Sequence, residues 1–251
     1  CIYSKFMKIL LTNDDGYRSP GIKYLHNALS LYGDVVQAAP LKNMSACSSS
    51  LSVHAKVEIK NPSKDFYVIK GTPADCVHIV SKGVLKKLPD IVFSGINFGS
   101  NLGDDVIYSG TVAGAIEGRN LKYSPVSISI TSREPKYLLD IGEKLEFVLS
   151  HIFNKKYRSK NIFNINIPDI PLNKIKGIKY TCLGNRKTSH RPKITTSNQK
   201  ILASIGPVGT AAKSTKSNDF NAIKSKYISI TPLTIDMCDH KKIINRIYKP
   251  K

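Results

Sequence analysis

The chain has 251 residues, of which 41% are hydrophobic, and this is enough for one large α/β domain or for a domain with an appendage. Its five cysteines are widely spaced and form no CxxC pair, which excludes a disulfide framework and a structural zinc site and favours a cytoplasmic location. Apolar runs reach only about five residues, which excludes a membrane-spanning helix and argues against a membrane partner. The net charge is +20.

The first residues precede any recognisable structural element. The sequence begins with Cys1, whereas Met7 opens the first strand pattern, as an initiator would. We therefore interpret residues 1–6 as a leader of uncertain origin, and no secretory signal peptide is visible.

Strand and helix patterns alternate through the first two-thirds of the chain. The predicted strands are 9–12, 34–39, 66–69, 90–94, 126–130 and 162–167. The predicted helices begin after Ser19, Thr72 and Ser109, each with a capping or proline signal, and a fourth spans 137–153. Such alternation is typical of a mostly parallel sheet with helices on both faces. The sequence therefore predicts an α/β core over residues 1–170.

The pattern changes after Pro168. Strand-like pieces at 178–182, 201–205 and 227–230 are separated by polar, basic stretches, and one further helix is predicted at 241–248. We interpret residues 171–251 as a β-rich C-terminal extension, because they hold too few regularly spaced apolar residues for a second full domain.

The positive charge is concentrated in the second half of the chain. Residues 1–130 hold 14 Lys and Arg against 10 Asp and Glu, whereas residues 131–251 hold 24 against 8. Such a field attracts phosphates, nucleotides or nucleic acid. We favour the alternative of a solvated lysine-rich surface, because the basic run at 155–160 has one aromatic residue and no nucleic-acid recognition motif. We therefore expect no stable nucleic-acid partner.

Two adjacent carboxylates follow the first predicted strand and are the most informative residues of the chain. Asp14 and Asp15 stand in a turn before Gly16, where both can aim at one point. Two unpaired negative charges so close raise one another's pKa unless a cation lies between them. Oxygen ligands without Cys or His nearby suit Mg²⁺ or Mn²⁺ rather than zinc. The alternative is a solvated Asn-Asp-Asp-Gly turn that binds nothing.

Two further oxygen donors are predicted at the same edge of the sheet. Open α/β sheets bind ligands outside the carboxyl ends of their strands. Ser45 lies in the loop after the second strand, and Asn97 follows the strand at 90–94. Two carboxylates, a hydroxyl and an amide oxygen form an incomplete coordination shell, which water and substrate complete in Mg²⁺ sites.

The segment 95–118 contains six glycines and a candidate phosphate site. Ser109 is suited to cap a helix and Gly110 lets a ligand approach the backbone, so free amides at this helix start would hold a phosphate. The segment lacks the Gly-Lys-Ser/Thr of a P-loop. The alternative is a helix cap with close packing through Gly114 and Gly118, but the neighbouring candidate metal site favours phosphate binding.

These segments together resemble the stationary-phase survival protein family SurE, whose members are metal-dependent 5′/3′-nucleotidases. The resemblance runs in order from Met7 to about Leu233. It rests on ILLTNDDGY at 9–17, GTPADCV at 71–77, SGIN at 94–97, NLG at 101–103, YSGTV at 108–112 and SITPL at 229–233.

The resemblance implies a set of site residues and an activity. The positions that align with the family's metal ligands are Asp14, Asp15, Ser45 and Asn97. The positions that align with its phosphate contacts are Asn101, Ser109, Gly110 and Thr111. The resemblance further implies catalysis by Asp14 and Asp15 with one divalent metal ion per subunit, Mg²⁺ or Mn²⁺. The implied substrates are nucleoside 5′- and 3′-monophosphates, and some members also shorten polyphosphate.

The resemblance also implies an architecture. The family has a Rossmann-like core and a β-rich C-terminal part that is exchanged between subunits, which produces homodimers or homotetramers, and the extension at 171–251 fits that role. This chain departs from the family pattern in two places. It has Ala46 where Gly commonly follows the ligand serine, and it has no Trp where the family often has one late in the chain.

Three other functions are alternatives at this stage. A receiver-like signalling domain also carries an acidic pair after its first strand, but it needs an acceptor Asp where this chain has Asn97, and it is much shorter. An aspartyl-phosphate phosphatase needs Asp-x-Asp, and the adjacent pair here has the wrong spacing. A basic nucleic-acid-binding protein would bind with steep salt dependence and without phosphatase activity.

Overall fold

The centre of the molecule is a nine-stranded, mostly parallel sheet. The computed structural model describes residues 7–155, 161–197, 200–205, 208–215 and 217–239. The strand order is β3-β4-β2-β1-β5-β6-β7-β11-β8, and β9 and β10 form a separate two-stranded sheet. The strands are β1 (Lys8–Thr12), β2 (Asp34–Pro40), β3 (Ile59–Ser63), β4 (Phe66–Ile69), β5 (Ile91–Phe98), β6 (Val126–Ile130), β7 (Ile162–Ile167), β8 (Ile178–Tyr180), β9 (Lys193–Ser197), β10 (Lys200–Ser204) and β11 (Ile228–Leu233).

The α-helices of the described ranges lie between these strands. They are α1 (Pro20–Leu29), α2 (Pro73–Ile79), α3 (Gly110–Glu117), α4 (Ile141–Asn154) and α5 (Asp219–Lys224). The first two begin where the sequence predicts. Ser19 caps α1 by accepting the Ile22 N–H, and Thr72 and Asp75 form a reciprocal capping box at α2. These caps satisfy N–H groups that the first turn of a helix leaves without partners.

Six neighbouring strands run parallel, so their carboxyl ends meet at one edge of the sheet. They are β4, β2, β1, β5, β6 and β7. The antiparallel pairs lie on either side of this block, where β3 pairs with β4 and β11 pairs with β7. Loops from the carboxyl end of the parallel block therefore converge, which is the arrangement that a site at this edge requires.

The core lies on both faces of the sheet. Ile9 and Leu11 of β1 pack in one cluster with Leu25 of α1 and with α4, whereas Leu10 packs in a second cluster with Val77 of α2. The three β1 residues are fully buried. Successive side chains of a strand point to opposite faces, so both faces of β1 are covered by helices. This confirms the predicted α/β fold.

The two largest differences between predicted and observed element boundaries are at the start of α4 and at the end of β5. The long helix begins at Ile141 rather than at 137, because Tyr137 O accepts a hydrogen bond from Lys144 Nζ and the Asp140 carboxylate accepts one from the Leu172 N–H. These contacts hold residues 137–140 outside the helix. The strand predicted at 90–94 continues to Phe98, so it contains Asn97 near its end.

Three further elements were not predicted from the sequence. The pattern does not predict β3, β9 or α5, since these short or exposed segments have no periodic apolar face. The helix predicted at 241–248 lies outside the described residues.

Part of the C-terminal extension completes the main sheet. β11 pairs antiparallel with β7 and parallel with β8, so the expected boundary near residue 170 falls between strands of one sheet. Only β9 and β10 form a separate sheet in the described ranges. No helix in these ranges is long and apolar enough to cross a membrane. The cytoplasmic location stays a prediction.

A buried lysine stabilises the start of α4. Lys144 is fully buried, and its ammonium lies 2.5 Å from Asp140 Oδ1 and donates to Tyr137 O at 2.9 Å. Burial raises the pKa of Asp140, but the hydrogen bonds from Lys144 and Leu172 and the charge of Lys144 outweigh it and hold that pKa below its usual value.

We expect Lys144→Met to lower the free energy of unfolding by about 1–3 kcal/mol at pH 7, because the partly exposed Asp140 loses its cation while the apolar stem is kept. Urea unfolding measures the loss. The depressed pKa of Asp140 makes the pair stabilising above about pH 4, and this stabilisation is lost as the pH falls through the folded-state pKa, so the two proteins should converge in acid. The control Lys23→Met, on the exposed side of α1, should change stability by less than about 0.5 kcal/mol. Equal losses in both variants would contradict this account.

Candidate active site

The acid pair lies where the end of β1 meets the start of α3. Asp14 is 4% exposed. Its Oδ1 accepts a 2.6 Å hydrogen bond from Thr111 Oγ1, and the Thr111 N–H also hydrogen-bonds to this carboxylate. Since Thr111 is in the first turn of α3, the Asp14 carboxylate faces the positive end of the helix dipole.

Both carboxylates are desolvated and close to one another. Burial raises the pKa of Asp14 to about 6; the hydrogen bonds from Thr111 lower it, and the negative charge of Asp15 raises it. Burial also raises the pKa of Asp15, against a hydrogen bond from the Phe98 backbone. In the ranges that the structure describes, neither carboxylate forms an ion pair with a basic side chain. A cation between them would favour the ionised form of both.

Asn97 lies in an irregular part of β5, next to Phe98, whose backbone hydrogen-bonds to Asp15. The pairing of β5 with β6 shifts register between Ser94 and Asn97, and Gly95 within that interval has a φ of +137°. A bulge of this kind re-aims the side chains beside it. Asn97 Nδ2 donates to Gly99 O at 2.7 Å, so its amide oxygen is the group that is available to a cation.

Ser45 lies in a loop that is hydrogen-bonded to the acid pair. Asn43 Nδ2 donates to Asp15 Oδ1 at 3.3 Å, and the following backbone N–H donates to Asp14 O at 2.7 Å. The Ser45 N–H donates to Asn43 Oδ1, and the residue itself is exposed. Ser45 is therefore connected to the acid pair through Asn43, which the sequence analysis did not single out.

The same loop rests on the segment that precedes α3. The Ser48 N–H donates to Tyr108 O at 3.1 Å, and its hydroxyl donates to Ile107 O at 2.7 Å. Ala46 and Ser48 adopt left-handed backbone conformations, with φ of +58° and +56°. Each such residue costs roughly 1–2 kcal/mol, so these loop contacts must offset the strain.

The predicted phosphate-contacting positions form the start of α3. Ser109 Oγ accepts from the Val112 N–H at 3.1 Å, so its hydroxyl caps the helix as the sequence predicts. Thr111 directs both of its donors to Asp14. The Gly110 N–H has no hydrogen-bond partner among the described residues. It is the donor that this helix start offers to an incoming anion.

Gly110 also allows α3 to approach β1 closely. A Cβ at this position would lie 2.9 Å from Asp14 Cβ and 3.1 Å from Cys47 Sγ. Burial raises the pKa of the Cys47 thiol, and the charge of Asp14 raises it further. A protonated thiol therefore lies beside Asp14. No motif or periodicity around Cys47 predicts this position.

Asn101 is held by polar side chains of β6 and β7. Its N–H donates to Asn166 Oδ1 at 2.9 Å, and its carbonyl accepts from Asn164 Nδ2 at 2.8 Å and from Asn166 Nδ2 at 3.0 Å. Its own Nδ2 donates to Ser129 Oγ at 2.8 Å, and all four residues are buried. These three partners were not predicted from the sequence. Two asparagines on one face of an apolar strand are a usable signal, because buried polar groups need partners.

The structure thus brings Asp14 directly against Gly110 and Thr111 and places Asp15 beside the end of β5. The described residues contain no group of three or more His, Cys, Asp or Glu arranged to hold a metal ion. A metal here would rest on two carboxylates and neutral oxygens, which is a donor set that Mg²⁺ or Mn²⁺ accepts. The roles of the predicted ligands and phosphate contacts stay predictions.

Comparison with known proteins identifies the family. A family model described as survival protein SurE matches residues 9–190. The chain belongs to the SurE family. A SurE protein from Aquifex aeolicus, solved by crystallography, is 36% identical with a TM-score of 0.81, covering 93% of this chain and 96% of that one.

Relatives across bacteria share the SurE assignment. A protein named 5′-nucleotidase SurE from Legionella pneumophila strain Lens is 41% identical over 94% of both chains. Proteins of the same name from Ruthia magnifica and Azotobacter vinelandii are 41% and 40% identical over 94% of this chain, covering 96% and 95% of their own lengths. The similarity therefore spans both the α/β core and most of the C-terminal extension.

We expect Gly110→Ala to lower the free energy of unfolding by about 1–3 kcal/mol, because the added methyl group overlaps the Asp14 side chain. Urea unfolding measures the change. Gly142→Ala is the matched control: it also lies in the first turn of a helix, but a Cβ there meets nothing within 4 Å. That variant should gain up to about 1 kcal/mol, because alanine is the better helix former. Equal effects of the two substitutions would refute the close approach of α3 to Asp14.

Proposed function

We propose that this SurE-family chain is a 5′-nucleotidase that hydrolyses nucleoside 5′-monophosphates to nucleoside and phosphate, with one Mg²⁺ or Mn²⁺ per subunit. The observation that carries the proposal is that Asp14 of the acid pair contacts the N-terminus of α3. Relatives that match over 94% of this chain are named 5′-nucleotidases, which supports the same proposal. The proposal extends to nucleoside 3′-monophosphates and to polyphosphate, whose terminal phosphates present the same oxygens to this site.

The site favours hydrolysis over the alternative functions. A receiver domain needs a carboxylate acceptor at a later strand end, where this chain has Asn97. An aspartyl-phosphate phosphatase needs a carboxylate two residues from its nucleophile, and Asp14 and Asp15 are adjacent. The excess positive charge supports capture of anionic substrates and requires no nucleic-acid partner.

The donor set supports a hard divalent cation. Asp14, Asp15 and Asn97 would hold it, with Ser45 contributed by the loop after β2. The support is physical: two desolvated carboxylates lie together without a basic partner in the described ranges, and a cation would offset their repulsion. When bound, the cation would polarise the phosphoryl oxygens and make a nearby water a stronger nucleophile.

The chain's own groups bind and orient the phosphate. The Gly110 N–H and the positive end of the α3 dipole stabilise the negative charge that increases on the phosphoryl oxygens in the transition state. Thr111 fixes the orientation of Asp14 through a 2.6 Å hydrogen bond. Asn101 is already ordered by Asn164 and Asn166, so little conformational entropy is lost when it contacts substrate.

We expect Asp14→Asn and Asp15→Asn each to reduce kcat/KM for nucleoside 5′-monophosphates by about 10²–10⁴-fold, because each removes one of two charges that hold the cation. Phosphate release measures the activity, and isothermal titration should show weaker Mn²⁺ binding. Asp34→Asn is the control, since this exposed residue opens β2 at the opposite end of the sheet. Full activity of the unaltered protein in excess EDTA would show that the metal proposal is wrong.

We also propose that the C-terminal extension assembles the protein into homodimers or homotetramers by exchange between subunits. The β9–β10 sheet supports this. Ile194 and Ile201 share one of its faces and Leu202 lies on the other, and these side chains are 59%, 74% and 57% exposed. A two-stranded sheet is marginally stable on its own, and apolar residues on both faces of one are typical of a surface that another chain covers.

We expect the double variant Ile201→Ser/Leu202→Ser to shift the protein toward monomer, because it removes apolar area from both faces of the β9–β10 sheet. Light scattering at micromolar concentration measures the mass. Ile59→Ser is the control, since this residue is exposed on β3 at the other edge of the main sheet and should leave the mass unchanged. A monomeric unaltered protein would contradict the assembly proposal.

A further inference from the structure

Asp219 is a fully buried carboxylate in the C-terminal extension. It is the first residue of α5, and its exposed fraction is 0%. Its Oδ2 accepts a 2.7 Å hydrogen bond from the Gly103 N–H, and its Oδ1 accepts from the N–H groups of Gly184 and Phe220, both at 2.9 Å. No basic side chain of the described ranges forms an ion pair with it. Three backbone N–H groups therefore compensate its burial.

The extension also packs closely against Gly103. A Cβ at Gly103 would lie 2.5 Å from both Gly184 O and the Phe220 ring, and a Cβ at Gly184 would lie 2.5 Å from the same ring. Gly103 has a φ of +55°, in the left-handed region. The extension therefore holds Gly103 both by a charged hydrogen bond and by direct packing.

Gly103 lies inside the segment that carries the candidate phosphate contacts. Asn101 is two residues before it, and the 3₁₀-helix Gly103–Ile107 leads directly to the Ser109 cap of α3. Arg186 of the extension holds the same 3₁₀-helix through a 2.7 Å hydrogen bond from Nε to Asp105 Oδ1. A displacement of Gly103 would therefore be transmitted to Asn101 or to the start of α3.

We propose that Asp219 is a positioning residue for the phosphate site: by holding Gly103 it fixes the segment 101–111, so the C-terminal extension is needed for turnover and not for assembly alone. This inference rests on the proposed phosphomonoesterase function. Asp219 reaches the substrate only through Gly103 and is therefore distinct from the catalytic pair.

The substitution Asp219→Asn tests this role without changing the size of the side chain. The amide has the same shape but one oxygen, so its NH₂ group must face either the Gly103 N–H or the N–H groups of Gly184 and Phe220. Misplacement of a substrate-binding group by about 1 Å costs on the order of 100-fold in rate. We expect kcat for a nucleoside 5′-monophosphate to fall by about 10–100-fold. Mn²⁺ affinity should change by less than about threefold, because the proposed cation ligands Asp14, Asp15 and Asn97 all lie outside this segment and only Asp14 contacts it, through Thr111.

The matched control is Asn218→Ala, one residue earlier. Asn218 caps α5 by accepting the Asn221 N–H at 2.9 Å, so its loss destabilises the same helix without removing the bond to Gly103. Hydrogen exchange followed by mass spectrometry is the second readout. Asp219→Asn should accelerate exchange in 101–111, whereas Asn218→Ala should accelerate it in 219–224 and leave kcat within about twofold.

The outcomes separate the positioning role from the function it rests on. Similar kcat and similar exchange of 101–111 in the two variants would overturn the positioning role. If the unaltered protein releases no phosphate from nucleotides, the proposed function fails, and exchange in 101–111 still decides whether Asp219 holds this segment. If Asp219→Asn does not fold, Phe220→Leu is the second variant, because the partly buried Phe220 ring packs against Gly103. It should lower kcat by a smaller factor and should also accelerate exchange in 101–111.

Discussion

The contact between the Asp14 carboxylate and the first turn of α3 determines where every other part of the site can lie. Thr111 donates to Asp14 at 2.6 Å, and the absence of a side chain at Gly110 lets the helix reach the end of β1. This contact buries a negative charge beside a second one, so the charge needs compensation. The α3 dipole supplies part of it, and in our proposal a divalent cation supplies the rest.

The loops around this contact are held by many small interactions. The Ser45 loop contacts Asp15 through Asn43 and the segment before α3 through Ser48, which offsets the left-handed backbone of Ala46 and Ser48. A glycine in place of Ala46 would adopt this conformation at lower cost. Ala46 therefore makes the loop next to Ser45 stiffer than a glycine would.

The C-terminal extension has two structural roles in one chain. Its strands β8 and β11 complete the main sheet, and Asp219 and Arg186 hold the segment that leads to α3. The β9–β10 sheet instead exposes apolar side chains on both of its faces. In our proposals, positioning of the site and contact with another subunit therefore belong to different parts of the extension, so separate substitutions can perturb each of them.

Most of the fold and the centre of the site were predictable because their signals are local. Alternating strand and helix patterns, the caps at Ser19 and Thr72, and the acid pair each occupy a few consecutive residues. The sequence by itself determined the α/β fold, the SurE resemblance and the residues at the strand ends. Only the tertiary structure decided that Asn164 holds Asn101, 63 residues away, and that Asp219 holds Gly103, 116 residues away. Contacts at such separations leave no periodicity in the chain, because they depend on how the sheet and the extension pack together.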